Sequence, residues 1–73
     1  MKFEEALKAM KDGSKVKLPS WGGYWYWNPE KEAIIMHTKD GQELDIRETQ
    51  NVEYTLQNIF SDEWTLRNIK YKI

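Results

Sequence analysis

Residues 24–27 read Tyr-Trp-Tyr-Trp, and this run constrains the fold more than any other feature of the chain. Aromatic side chains favour strands, and a strand turns alternate residues to opposite faces. Trp25 and Trp27 therefore share one face, and Tyr24 and Tyr26 the other. A sheet covered by helices on one side needs bulky rings on only that side, yet here both faces carry them. One pair fills a core. The other either covers an interface between subunits or, with Trp21 of the preceding loop, stacks a planar ligand. Stacking on a nucleobase is worth roughly 1–3 kcal/mol per base. The pattern alone leaves open which pair is which.

The aromatic load matters because the chain is short. Its 73 residues form a single domain, 1–73, near the lower size limit for independent folding. Domains of this size are commonly stapled, but the absence of cysteine excludes disulfides and thiolate metal sites. A lone histidine, His37, cannot build a histidine-rich metal site. What is left is a dense aromatic core, self-association, or both. Four Trp, four Tyr and two Phe supply the first, each ring able to bury roughly 150–250 Å².

Net charge is −1, with both signs interspersed. A nucleic-acid polymer as partner would call for a basic stripe and a high pI, so none is expected. The longest apolar run, Ala33-Ile34-Ile35-Met36, is far short of a membrane span. Met1-Lys2-Phe3-Glu4-Glu5 has no signal-peptide core, and a cytosolic location is expected.

Phe3, Ala6, Leu7 and Met10 recur at the spacing of one helix face, and the pattern predicts a helix over 3–12 ended by Gly13. Glu4 and Glu5 precede Lys8 and Lys11, the order a helix dipole favours. Lys15–Leu18 alternates polar and apolar residues as a short strand. Pro19–Gly23 is a loop. Tyr24–Trp27, Glu32–Thr38 and Glu43–Ile46 form an antiparallel meander joined by the Asn28-Pro29 turn and an Asp40-Gly41 hairpin. Residues 47–53 read as irregular, 54–60 as a short helix, and 64–73 as containing a last strand. The expected architecture is α+β: a small antiparallel sheet of about four to five strands, with the N-terminal helix and the second short helix packed on one face.

No nucleophile–base–orienter set is visible, so the chain is not expected to be an enzyme. His37 lies mid-strand without a partner nucleophile and reads as a strand histidine at an edge or interface. The pairs Glu4/Glu5 and Asp62/Glu63 are sequence neighbours, which do not converge on one substrate atom. Trp21-Gly22-Gly23 leads into a strand, so no helix dipole backs it as a phosphate loop. An anionic nucleotide would need donors. Lys15, Lys17, Lys39, Arg47 and Arg67 are the candidates, the two arginines being suited to bidentate phosphate contact.

Three features resemble one known family. They are the run Lys2-Phe3-Glu4-Glu5-Ala6-Leu7-Lys8-Ala9-Met10-Lys11-Asp12-Gly13 followed by Lys15-Val16, the pair Trp21-Gly22, and the closing Ile59-Phe60-Ser61-Asp62-Glu63-Trp64-Thr65-Leu66. Together they are similar to the small phage proteins of the Thoeris anti-defence type two family. The ends match in order and spacing, while the middle matches only in being β-rich. The family often has a basic residue two or three positions before its first tryptophan; here Leu18-Pro19-Ser20 intervenes and Lys17 lies further back.

The resemblance implies a sponge. Such proteins bind the cyclic ADP-ribose isomers made by bacterial TIR-domain immune enzymes and hold them uncleaved. Some also bind cyclic di- or trinucleotides of CBASS defence. It further implies a homo-oligomer, a tetramer or dimer, with sites between subunits in a host bacterial cytosol, and no cofactor. The expected ligand-binding residues are Trp21, Gly22, Tyr24, Trp25, Lys17, Arg47, Asp62, Trp64 and Arg67. The alternative is a protein–protein inhibitor of a host defence complex, of the anti-CRISPR kind, with exposed Trp and Tyr as anchors. An enzyme that degrades a cyclic nucleotide is the remaining class.

Overall fold

The first helix, α1 (Phe3–Lys11), forms where the apolar spacing places it. The Glu5 carboxylate accepts from the Lys2 backbone N–H at 3.2 Å, which satisfies a donor that the first turn leaves free. Gly13, at φ +103°, closes the other end. Gly13 N–H donates to the Met10 carbonyl and Ser14 N–H to the Ala9 carbonyl, the paired bonds of a Schellman cap.

The computed structural model describes residues 1–67. After α1 come β1 (Val16–Lys17), β2 (Tyr24–Asn28), β3 (Ala33–His37), β4 (Glu43–Asp45), a 3₁₀ turn (Ile46–Glu48), α2 (Val52–Phe60) and β5 (Thr65–Leu66). The strands make one antiparallel sheet in the order β4-β3-β2-β1-β5. The fold is α+β, as the sequence pattern predicts. Both meander turns are built from the residues that announced them. Asn28 Oδ1 accepts from the N–H groups of Glu30 and Lys31, and Gly41 takes φ +87° at the hairpin tip.

Several boundaries differ from the sequence reading. β3 starts at Ala33 because Glu32 sits at φ +50°, outside strand conformation. β4 gives way to the 3₁₀ turn at Ile46, where Asp45 Oδ1 accepts from Arg47 N–H at 2.8 Å. α2 begins at Val52 instead of Tyr54, because Asn51 caps it by accepting from Tyr54 N–H at 3.0 Å. Of the last strand only Thr65–Leu66 is present among the described residues, and Ile69, Tyr71 and Ile73 lie outside them.

Strand register decides which aromatic pair is core. Val16 lies opposite Trp25, Trp25 opposite Met36, and Trp27 opposite Ile34. These side chains face α1. Trp25, Val16 and Ile34 join Ala6, Met10 and Trp64 in one buried cluster, with Phe3, Trp21, Trp27, Met36 and Ile59 packed around it. α2 lies on this same side, through Ile59 and through the Trp64 indole, which donates to the Asn58 carbonyl at 2.9 Å. Met1 and Trp64 exchange backbone hydrogen bonds, which tie β5 to the start of α1. Among the described elements, neither helix covers the opposite face of the sheet, which carries Tyr24, Tyr26 and His37, all half-buried, and Ile35, which is 3% exposed.

Candidate functional site

The loop between β1 and β2 is pinned. A Cβ added at Gly23 would lie 2.2 Å from the His37 carbonyl oxygen, so the backbone there runs directly against the end of β3. At Gly22 an added Cβ would lie 3.0 Å from Lys39 Cβ. Two consecutive glycines thus let the loop lie flat on the β3–β4 hairpin. The Trp21 N–H closes a turn onto the Leu18 carbonyl at 3.0 Å. Trp21 is delivered to the edge of the core, 5.3 Å from Trp25 and 5.2 Å from Trp64, the latter pair edge-to-face.

Between this loop and the start of α2 lies a cleft of about 400 Å³. Its lining brings together Trp21 of the loop, Tyr54 and Thr55 of α2, and the apolar side chains of Trp25, Met36 and Leu44. His37, Thr38 and Lys39 lie where β3 ends. No carboxylate lines the cleft, and Lys39 is its one lysine or arginine among the described residues. The lining therefore suits an apolar ring bearing negative charge better than a cation.

On the uncovered face Tyr24 stacks on His37, with centroids 4.5 Å apart and planes 10° from parallel. Glu43 organises this cluster. Its carboxylate meets His37 Nδ1 at 2.9 Å and accepts from the Tyr26 hydroxyl at 2.8 Å. The His37 bond, then the Tyr26 bond, holds the Glu43 carboxyl below its ordinary pKa, and the Glu43 bond pushes the Tyr26 hydroxyl up. Asp45 is gripped by Arg47 through Nη2, Nε and the backbone N–H, which lowers its pKa to about 2.

The structure divides the expected ligand residues among separate places. Trp21, Gly22, Tyr24 and Trp25 line the cleft together. Trp25 and Trp64 are 4% and 1% exposed, and the Trp64 ring is committed to the core. Lys17 and Arg67 lie on strands β1 and β5 or beside them, on the uncovered face. The Arg47 guanidinium is held by Asp45. Asp62 is exposed at the far end of α2, beside Phe3 and Phe60.

The sequence reading did not single out Tyr54. The signal for it was Asn51, whose cap fixes the helix phase so that Thr55, Asn58 and Ile59 turn inward with Tyr54 at the edge. Among the described residues no group of three or more His, Cys, Asp or Glu could hold a metal ion, and no helix is long and apolar enough to cross a membrane. Compared with the models of known protein families, the chain matches none, and it matches none of the curated proteins.

Proposed function

We propose that the chain is a binding protein of the sponge kind: it holds a cyclic nucleotide immune signal, a cyclic ADP-ribose isomer or a cyclic oligonucleotide, without cleaving it. The observation that carries this reading is the cleft lined by Trp21 and Tyr54, about 400 Å³ and free of carboxylates among its described lining residues. A base would lie against Trp21 and Tyr54, and Lys39 would face a phosphate. The glycine-pinned loop supports it too, because a wall already in place removes part of the ordering cost of binding. The resemblance of both chain ends to the Thoeris anti-defence type two family points the same way.

A second reading, a protein–protein inhibitor, is favoured by one observation. Val52, Leu56 and Phe60 repeat at i, i+4 and i+8 on α2, and all are exposed, Phe60 by 80%. This apolar stripe would suit a partner protein, and equally a second copy of the chain in the homo-oligomer that the sponge reading includes.

The test is calorimetric titration with cyclic ADP-ribose isomers and cyclic di- and trinucleotides, each ligand then being recovered by heat denaturation. Sub-micromolar binding, unmodified recovered ligand and loss of binding in Tyr54→Ala support the sponge. No binding across the panel removes it, and recovery of a cleaved product makes the chain an enzyme.

A further inference from the structure

The uncovered sheet face has a lateral order of charge. β4 at one edge contributes Glu43 and Asp45. The centre carries Tyr24, Tyr26 and His37, and the other edge Lys15, Lys17 and Arg67, which alternate with the inward-facing Val16 and Leu66. The two sides are not equivalent. Both acids are engaged locally, Glu43 by His37 and Tyr26, and Asp45 by Arg47. Among the described residues the only ion pairs are His37–Glu43 and Arg47–Asp45, so no carboxylate neutralises Lys15, Lys17 or Arg67. The charge left unanswered on this face is positive.

Two of these cations are also held in place. The Arg67 guanidinium carbon is 4.6 Å and the Lys15 Nζ 5.6 Å from the centroid of the Tyr24 ring. Arg67 N–H donates to the Lys15 carbonyl at 2.7 Å, which fixes the two residues side by side across β1 and β5. Tyr24 is itself braced by the parallel His37 ring, which Glu43 anchors. Cation–π attraction to one shared ring offsets part of the repulsion between two like charges. An anion between them would remove the rest.

We propose that Lys15 and Arg67, with Lys17 beside them, form a phosphoryl-binding site on the uncovered face, distinct from the cleft, and that its ligand is a nucleotide. Arg67 contributes the bidentate fork, Lys15 a point charge, and the tyrosine-bearing centre of the sheet an apolar surface for the ring. The site does not depend on the cleft reading: the cleft's cation is Lys39, the cations here are Lys15, Lys17 and Arg67, and the two places have only Tyr24 and His37 in common.

The test follows backbone amide shifts by NMR during separate titrations with inorganic pyrophosphate, AMP and adenosine. Pyrophosphate and AMP are expected to move Lys15, Lys17 and Arg67, none of which lines the cleft, and adenosine to move them far less. Tyr54→Ala, which opens the cleft, is expected to leave those shifts in place. Lys15→Gln and Arg67→Gln, both exposed positions, are each expected to weaken AMP binding about tenfold, and the dispersed spectrum reports that each variant is folded. AMP shifts confined to Trp21 and Tyr54, equal responses to AMP and adenosine, or unchanged affinity in the double variant would each overturn the proposal.

Discussion

β2 presents two faces built from the same four aromatic residues, and they have opposite fates. Trp25 lies under α1, closely packed with Phe3, Trp21 and Trp64 at centroid separations of 6.3, 5.3 and 4.9 Å. Tyr24 and Tyr26, one residue away on either side, stay half-exposed: the Tyr26 hydroxyl donates to Glu43, and the Tyr24 ring stacks on His37. The difference is chemical. An indole has a large apolar body with one donor, and the Trp64 donor shows how a single backbone carbonyl can satisfy it in the core. A phenol carries a hydroxyl that both donates and accepts, which favours the side where Glu43 and water are within reach.

The largest expected effect tests that division directly. Trp25→Ala should destabilise the fold by about 3–5 kcal/mol, the usual range for removing a large ring from a core, whereas Tyr24→Ala should cost about 1 kcal/mol or less. Urea unfolding followed by circular dichroism measures both. Equal losses would mean that the tyrosine face is also buried in solution, under a second copy of the chain.

A smaller effect separates the cleft loop from the hairpin tip. Both contain a critical glycine, for different reasons. Gly23→Ala places a methyl group against the His37 carbonyl, a backbone atom that cannot swing away. Overpacking of this kind costs about 1–3 kcal/mol and should displace Trp21. Gly41→Ala meets no atom within 4 Å and suffers only from its positive φ, about 1 kcal/mol. Calorimetric melting ranks the two, and the tryptophan emission spectrum should shift for Gly23→Ala alone. A spectral shift in both variants would show that the loop is held by the hairpin as a whole, not by the contact at Gly23.

The covered side was more legible in the sequence than the open one. α1 could be read from Phe3, Ala6, Leu7 and Met10 because helix periodicity is a local signal, and the Asp40-Gly41 and Asn28-Pro29 turns are equally local. The core role of Trp64 was not legible. It depends on Asn58 and Met1 reaching it from elsewhere in the chain. The choice between the Trp25 and Tyr24 faces was hidden for a related reason: period-two alternation sorts residues into pairs without saying which pair α1 will cover. In the candidate site, the Trp21 loop was found from its composition, whereas Tyr54 required the helix phase. Arg47 was read as a candidate phosphate donor from its residue type alone, whereas its guanidinium is folded back onto Asp45 by a turn that starts at Ile46 and that no periodicity announces.

The smallest effect belongs to the open face itself. Tyr26→Phe removes the hydroxyl that donates to Glu43 at 2.8 Å and leaves the ring in place. At neutral pH the loss should be within about 0.5 kcal/mol, as for other surface changes. Its pH dependence says more. Glu43 titrates below its ordinary value in the folded protein, first through His37 and second through Tyr26. A carboxylate depressed on folding contributes stability above its unfolded pKa, and that contribution fades as pH falls through the folded value. Without the Tyr26 hydroxyl the folded pKa of Glu43 rises part of the way back, while the His37 bond keeps it below normal. The variant therefore has less to lose on acidification, and its stability should converge on that of the parent between about pH 5 and pH 3. A gap that stays constant over that range would mean that the hydroxyl acts through packing and not through the charge on Glu43. The tyrosine face would then owe its exposure to shape alone.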